Sequence, residues 1–99
     1  MLNITKNVEN GKAVFKLEGR LDTVTSPDLE TEFREIAESL TALTFDFEGL
    51  EYVSSAGLRV LLAAQKVMSR QGTMRVIHVN EAIMDIFDVT GFADILTIE

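Results

Sequence analysis

Hydrophobic and polar residues alternate through the first part of the chain. Apolar side chains lie at even spacings in residues 2–8 and alternate with mostly charged neighbours in residues 13–17, and Asn10-Gly11 separates the two runs. A period of two is typical of strands that bury one face, and Asn-Gly between two such runs is a strong signal for a tight hairpin. We therefore expect the chain to open with two antiparallel strands.

The spacing changes to the three-to-four rhythm of amphipathic helices in three later segments, residues 26–40, 54–72 and 80–91. Pro27 suits the first position of the first helix, and Asn80 can cap the third. A glycine closes the second and the third segment, as is common where helices end. The sequence therefore predicts three helices.

Short apolar or alternating runs predict the remaining strands, at residues 43–47, 74–79 and 95–98. The order β-β-α-β-α-β-α-β alternates strands with helices of crossover length, which indicates parallel strands joined by right-handed crossovers. The prediction is an α/β fold: a small, mostly parallel β-sheet with an N-terminal antiparallel hairpin strand and about three helices on one face. We expect a single domain over residues 1–99.

Composition limits the class of protein. The chain has 99 residues, of which 46% are hydrophobic and 25% charged, as in an ordinary folded domain with one core. No apolar run approaches the roughly 18 residues that a membrane-spanning helix needs, and the amino terminus lacks the apolar block of a secretory signal. We therefore expect a cytoplasmic protein that does not enter a membrane.

Charge and cysteine content exclude further classes. The absence of cysteine excludes disulfides, thiolate nucleophiles and cysteine-based metal centres. The net charge of −7 opposes binding to nucleic acid or to anionic lipids, and the nine Lys and Arg residues are scattered singly. Direct contact with nucleic acid or with a membrane surface is not expected.

Residues suited to catalysis are sparse. The one histidine, His78, falls in the run VIHVN and is interpreted as a structural imidazole inside a strand rather than as a metal ligand. Acidic residues such as Glu32, Glu35 and Glu38 lie on polar helix faces, and neither common glycine-rich phosphate loop is present. We expect no enzyme activity, no cofactor and no metal site.

Three loops follow the carboxyl ends of the predicted parallel strands, at residues 19–26, 48–57 and 78–81, where α/β proteins commonly place functional residues. Ser54 and Ser55 begin the second helix there. One interpretation is helix capping, which contributes about 0.5–2 kcal/mol. The other is phosphorylation, which adds about −1.5 to −2 charges at a helix end that tolerates them. The residues alone leave both interpretations open.

The chain resembles the STAS domain family, in particular its bacterial anti-sigma factor antagonists, in three segments: GRLD at 19–22, FDFEGLEYVSSAGLRVLL at 45–62 and NEAIMDIFDVTGF at 80–92. In that family, the serine two residues before the glycine of an S-x-G-L motif is phosphorylated by a partner serine kinase that is itself an anti-sigma factor. The resemblance implies that this serine is Ser55. It also implies that the unphosphorylated protein binds the kinase and releases the sigma factor, and that phosphorylation ends this binding.

The same resemblance implies a partner-binding surface around that serine. Asp22 corresponds to a loop aspartate of the family, although a role in a turn or cap is an equal alternative from the residues alone. Ser54 stands where an aspartate is common in the best-characterised antagonists, which makes it a second candidate acceptor. The predicted surface residues are Asp22, Thr23, Ser54, Ser55, Gly57 and Asn80.

Two functions are consistent with these features. The first is an anti-sigma factor antagonist whose partner is an anti-sigma factor serine/threonine kinase. The alternative is a STAS accessory subunit of a transport or signalling complex without sigma factor regulation, which would tolerate loss of the Ser55 hydroxyl. The identities of the kinase and the sigma factor, and the oligomeric state, are left open.

The end of the chain carries two more expectations. The chain stops at the predicted closing strand, so we expect the further carboxyl-terminal helix of many family members to be missing. Met84, Val89 and Phe92 have helical spacing and are assigned to the core rather than to a docking surface.

Overall fold

A computed structural model describes all 99 residues. Its strands are β1 (Leu2–Glu9), β2 (Lys12–Leu21), β3 (Ala42–Val53) and β4 (Thr73–Ile77). Its helices are α1 (Ser26–Ile36), α2 (Ser55–Gln71), α3 (Glu81–Thr90) and α4 (Phe92–Ile95), with a 3₁₀ turn at Ala37–Ser39. The four strands form one sheet in the order β1-β2-β3-β4, with β1 antiparallel to β2 and the other pairs parallel. The predicted fold class is confirmed.

The hairpin between β1 and β2 forms where Asn10-Gly11 predicts it. Both residues have a positive φ, 51° for Asn10 and 78° for Gly11, as a two-residue turn of type I′ requires. The register starts with Glu9 opposite Lys12. Because this turn fixes the register, the apolar residues of the two strands point to the same side of the sheet.

The helices cover one face of the sheet, and the hydrophobic core lies between the helices and the sheet. Phe15 of β2 and Phe45 and Phe47 of β3 point into this core, and none of the three has exposed surface. Their rings contact one another in sequence, with centroids 5.6 Å and 6.5 Å apart, and Phe47 lies 6.3 Å from Phe87 of α3. This aromatic row fixes the third helix against the central strands.

The residues that alternate with this core point to the opposite side of the sheet. Lys16 of β2, Asp46 of β3 and Ile77 of β4 are adjacent in the parallel register, and none of them is buried. We call this side the open face. It carries a polar surface because period-two alternation places one face of each strand in the core and the other in solvent.

The first helix starts where Ser26-Pro27 predicts, but Ser26 does not cap it. Thr25 precedes the helix without a capping side-chain hydrogen bond, and the Ser26 Oγ is buried without a hydrogen-bond partner. The helix is also shorter than expected, because it ends at Ile36 and a 3₁₀ turn carries the chain to the buried Leu40.

The predicted closing strand at residues 95–98 is reduced to one parallel bridge between Ile98 and Val76. Helix α4 takes up the beginning of that segment, because Gly91, with φ 84°, ends α3 and turns the chain into a further helical turn. Leu96, the residue after α4, is then buried in the core. The predicted strand at residues 95–98 rested on the alternation of only four residues, which is too short a run to distinguish a strand from a helical turn.

Two of the three assignments to the core near the end of the chain are confirmed. Met84 and Phe92 are partly buried and pack against the core. Val89 is 87% exposed, so its assignment to the core was wrong. None of the helices is long and apolar enough to cross a membrane.

Candidate functional site

Two helix starts lie side by side at the edge where β2 and β3 end. Leu21 and Val53 are the last residues of these strands and are paired in the parallel register. The Ser54 amide donates a hydrogen bond to the Leu21 carbonyl at 2.8 Å, and the Ser26 amide donates to the Asp22 carbonyl at 2.8 Å. The loop before α1 and the start of α2 are therefore neighbours, as expected for the carboxyl ends of adjacent parallel strands.

Ser54 and Ser55 have different environments although they are adjacent in sequence. Ser54 has extended backbone and is only 9% exposed, and its Oγ accepts a hydrogen bond from the Gly57 N–H at 3.3 Å. It is the N-cap of α2. Ser55 is the first residue of the helix, and its side chain is exposed and forms no hydrogen bond. Capping is thus the role of Ser54, and the hydroxyl of Ser55 is accessible.

Gly57 allows α2 to lie close to the end of β2. A Cβ atom at this position would come within 2.8 Å of the Leu21 Cγ and within 3.0 Å of the Leu21 carbonyl oxygen. Leu21 has no exposed surface and therefore little room to move away. Gly57 is itself buried, so it positions the two serines and offers no side chain to a partner.

Asp22 organises the loop between β2 and α1. Its Oδ1 accepts hydrogen bonds from the Val24 and Thr25 amides, both at 3.0 Å, and from the Thr25 hydroxyl at 3.1 Å. The pKa of Asp22 lies below its ordinary value, chiefly because the Thr25 amide donates to the carboxylate; partial burial opposes this effect, and the Thr25 hydroxyl and the Val24 amide add to it. Of the two interpretations offered by the sequence, this geometry matches the turn aspartate.

The rest of this loop is directed to solvent. Thr23 is exposed, and Val24 is 82% exposed, which is unusual for a large apolar side chain. Thr25, in contrast, is buried, and its hydroxyl donates to the Arg20 carbonyl at 2.8 Å. The loop therefore presents Thr23 and Val24 on a framework fixed by Asp22 and Thr25.

Asn80 connects the third loop to the central sheet. Its Oδ1 accepts a hydrogen bond from the Ile83 amide at 2.9 Å, and its Nδ2 donates to the Leu50 carbonyl of β3 at 2.9 Å. The predicted cap of α3 is confirmed. Both polar groups of the side chain are engaged within the protein, so Asn80 supports the edge of the site.

Arg20 and Tyr52 were not among the predicted site residues. They are paired across β2 and β3, and the Arg20 guanidinium carbon lies 4.4 Å from the centroid of the Tyr52 ring. Both side chains are exposed, so they form a cation–π pair on the surface just before the functional loops. The parallel register between the strands, which the sequence alone does not give, would have identified this pair.

A separate cluster lies at the open face. The Nδ1 of His78 is 2.8 Å from the Oδ1 of Asp46 and 3.9 Å from the Oε2 of Glu48, and one ligand atom from each residue lies within 4.8 Å of the others. An imidazole and two carboxylates are donors that zinc accepts. These residues could hold a metal ion, which the sequence interpretation did not anticipate.

His78 reaches Asp46 because it lies outside the strand. The expectation that it stands inside β4 was wrong, since the strand ends at Ile77 and His78 has φ 57° in the left-handed region. Burial raises the pKa of Asp46, but hydrogen bonds from the His78 ring and the Glu48 amide outweigh it, and the net pKa is below the ordinary value. The two side chains form a hydrogen-bonded contact at the surface, separate from Ser54 and Ser55.

Comparisons with known proteins agree with this architecture. The model of the STAS domain family matches residues 3–99. The anti-sigma-B factor antagonist of Bacillus subtilis is 24% identical to this chain over 98 residues, which cover 98% of this chain and 90% of that protein.

Two solved structures share the fold. The structure of an anti-sigma factor antagonist from Mycobacterium paratuberculosis superimposes with a TM-score of 0.88 at 24% identity, covering 99% of this chain and 85% of that one. The unphosphorylated form of the anti-sigma factor antagonist SpoIIAA from Bacillus superimposes with a TM-score of 0.79 at 16% identity, covering 98% and 87%. The match to the family model extends over nearly the whole sequence, and this chain belongs to the STAS domain family.

Proposed function

We propose that this protein is an anti-sigma factor antagonist that binds an anti-sigma factor serine kinase in the cytoplasm and is released when Ser55 is phosphorylated. The observation that carries the proposal is the accessible, unbonded hydroxyl of Ser55 at the start of α2, beside a buried serine that already caps the helix. The protein acts by binding and not by catalysis, and it needs no cofactor for this.

Access separates the two serines as phosphate acceptors. A kinase must bring the γ-phosphate of ATP in line with the acceptor oxygen, which requires an exposed hydroxyl. The Ser54 Oγ is buried and bonded to the Gly57 amide, so its phosphorylation would remove the cap and force the helix start apart. Ser55 meets the requirement without any rearrangement, and the proposal therefore assigns the modification to Ser55 alone.

The position of Ser55 allows the fold to survive phosphorylation. The first turn of α2 contains no acidic residue, and the N-terminal end of a 17-residue helix carries a partial positive charge. A phosphoryl group adds about −1.5 to −2 charges there without repulsion from its own helix. The modification consequently alters the surface that a partner meets and leaves the structure beneath it unchanged.

The surroundings of Ser55 suit a reversible docking surface. The exposed Val24 offers an apolar contact, and the stacked Arg20 and Tyr52 lie at the adjoining strand ends. A partner that covers this surface would desolvate the Ser55 hydroxyl. A dianionic phosphate at that place would lose its water when a partner covers it, which is costly, so the complex dissociates.

The relatives support the same assignment. The name of the Bacillus subtilis relative describes it as an antagonist of an anti-sigma factor, and SpoIIAA has been solved in a phosphorylated and an unphosphorylated form. A cycle of binding and phosphorylation in this chain is an extension from those proteins, which the exposure of Ser55 supports.

Capture of partners by Ser55 variants tests the proposal. Ser55→Ala and Ser55→Asp baits are compared with wild type, and Ser69→Ala serves as the matched control because Ser69 is an exposed serine near the other end of α2. We expect Ser55→Ala and the control Ser69→Ala to capture a serine kinase that also binds a sigma factor. Ser55→Asp should not capture this kinase.

Phosphorylation by the captured kinase completes the test. With ATP, the purified kinase should add one phosphoryl group to wild type and to Ser69→Ala, and none to Ser55→Ala, as read by mass spectrometry. Equal capture by the Ala and Asp baits, or modification of Ser55→Ala, would contradict the proposal. Capture of transport or scaffold proteins by both baits would instead indicate an accessory subunit.

A further inference from the structure

Three side chains of two metal-binding kinds converge at the open face, apart from the surface proposed for the kinase. The imidazole of His78 comes from the turn after β4, and the carboxylates of Asp46 and Glu48 come from β3. One ligand atom from each residue lies within 4.8 Å of the other two. An imidazole that faces two carboxylates from another strand is a mixed donor set, and imidazole nitrogen distinguishes transition metals from the harder Mg²⁺ and Ca²⁺.

The distances between these donors suit one small ion. Ligands about 2.1 Å from a tetrahedral zinc ion lie roughly 3.4 Å from one another. The His78 Nδ1 is 2.8 Å from the Asp46 Oδ1 and 3.9 Å from the Glu48 Oε2, so the two separations lie on either side of that value. The side chains of His78 and Glu48 are 55% and 64% exposed and are able to rotate, whereas that of Asp46 is only 15% exposed. Small rotations of the two outer ligands about Asp46 would complete the geometry.

The backbone of β3 already orients the Asp46 carboxylate. Its Oδ1 accepts a hydrogen bond from the Glu48 amide at 3.0 Å. A carboxylate oxygen has a second lone pair, so this bond can persist while the same oxygen binds an ion. Ligating carboxylates are commonly held by such outer hydrogen bonds, which fix their direction. Asp46 is therefore prepared as the central ligand.

The hydrogen bond between His78 and Asp46 shows how an ion would enter. An ionised carboxylate only accepts, so the Nδ1 of His78 carries the proton in this contact. When a metal ion binds Nδ1, that proton leaves, and the neutral ring carries its one proton on Nε2. The exchange breaks the bond to Asp46 and forms two metal–ligand bonds in its place, and it needs no further reactant.

Lys16 is the cation beside this cluster, because it is paired with Asp46 across β2 and β3. It forms no ion pair with any carboxylate, so no ammonium group occupies the oxygens of Asp46 or Glu48. Its positive charge opposes every incoming cation equally. An ion that gains a bond to the imidazole nitrogen overcomes this repulsion more readily than Mg²⁺ or Ca²⁺, which prefer oxygen alone.

We propose that Asp46, Glu48 and His78 form a binding site for a divalent transition-metal ion of the Zn²⁺ type, with the His78 Nδ1 and one oxygen of each carboxylate as ligands. The bound ion joins β3 to the turn that leads from β4 into α3, two segments that lie 30 residues apart in the sequence. The site is independent of the proposed phosphorylation, since it requires neither a kinase nor a modified Ser55.

The imidazole resonances test the site in the wild-type chain, because His78 is the only histidine. A tag-free, ¹⁵N-labelled chain is titrated with ZnCl₂ at about pH 7.5, where imidazole ligands bind in their neutral form. We expect the Nδ1 resonance to shift and the shift to saturate at one Zn²⁺ per chain, with the proton on Nε2. Ring nitrogens that do not respond to Zn²⁺, or a response that identifies Nε2 as the ligand, would overturn the proposal.

Calorimetric titration of variants tests the ligand set, after circular dichroism has shown that each variant is folded. His78→Asn removes the imidazole, and asparagine tolerates the left-handed backbone at this position. Asp46→Asn keeps an acceptor for the Glu48 amide. Each should weaken Zn²⁺ binding at least about tenfold, since even outer-shell changes cost that much. Glu51→Gln, which removes an exposed carboxylate of β3 outside the cluster, should change it less than about twofold.

The alternative is loose attraction of cations to an acidic surface. In that case His78→Asn would bind Zn²⁺ as tightly as the wild type, or Glu51→Gln would lose as much affinity as Asp46→Asn, and either result would overturn the proposal. Competition provides a further test, because a roughly tenfold excess of Mg²⁺ should not displace Zn²⁺ from a site that includes an imidazole. Displacement by Mg²⁺ would likewise count against the site.

Discussion

Replacement of Gly57 by alanine should destabilise the protein through a contact that lies directly beneath the two serines. The added Cβ would meet the Leu21 Cγ at 2.8 Å, the Leu21 Cδ2 at 3.0 Å and the Leu21 carbonyl oxygen at 3.0 Å. Neither group can retreat easily, because Leu21 is fully buried and its carbonyl accepts the Ser54 amide. Overpacking of this kind costs about 1–3 kcal/mol.

A smaller effect acts in the opposite direction. Alanine is favoured over glycine inside a helix by about 0.5–1 kcal/mol. The contact with Leu21 outweighs this gain, and we expect Gly57→Ala to lower the free energy of unfolding by about 1–2 kcal/mol, or the Tm by roughly 5–15 °C for a domain of this size. Urea and thermal unfolding followed by circular dichroism measure both quantities.

A double-mutant cycle identifies the cause. In a Leu21→Ala background the leucine atoms are gone, so Gly57→Ala should cost about 1 kcal/mol less than in the wild type, and sulfate can be added to keep both variants folded. A Gly57→Ala variant as stable as the wild type would refute the reasoning. An equal cost in the two backgrounds would show that the Leu21 side chain is not the obstacle.

The remaining predictions concern the Ser54 cap of α2, the backbone conformation of His78 and the loss of stability at low pH. Ser54→Ala should lower the free energy of unfolding by about 0.5–2 kcal/mol in urea, and Ser55→Ala by less than about 0.5 kcal/mol, since Ser54 alone caps α2. His78→Gly should be more stable than His78→Ala by about 1 kcal/mol, because φ 57° favours glycine; equal stabilities would argue against strain. The folded pKa values of Asp22 and Asp46 are lowered, so the stability that they contribute is present above the unfolded value of 3.8 and is lost as pH falls through the folded values. The difference in urea midpoint between the wild type and Asp46→Asn should therefore be smaller at pH 3 than at pH 7. A difference of the same size at both pH values would contradict this prediction.

Strand and helix order could be predicted because the local patterns here agree with the final packing. The alternation around Phe15 and Phe45 matches the buried face of the sheet, and Asn10-Gly11 specifies its own turn type. The structure at residues 95–98, where a strand was predicted, could not be predicted correctly, since the choice between strand and helix there depends on how Gly91 turns the chain and on the burial of Leu96.

The residues of the site were predicted more easily than their roles. The sequence predicted that Ser54 and Ser55 lie at the start of a helix. It did not predict which of them is buried, because that depends on the hydrogen bond from the Ser54 amide to the carbonyl of the buried Leu21. The pairing of His78 with Asp46 was missed for a similar reason. It depends on the register between β3 and β4 and on a left-handed backbone conformation, neither of which has a signal in a single sequence.

The type I′ turn at Asn10-Gly11 offers a place to attach a reporter. β2 begins directly after this turn and ends at the loop of Asp22, so ten residues of extended chain, roughly 30 Å, separate the two ends. This span is close to the longest dimension of the molecule, 33 Å. A dye or a fused fluorescent protein at the hairpin would lie at the opposite end of the molecule from the two serines. There it could report binding of a labelled partner by energy transfer without obstructing the binding surface.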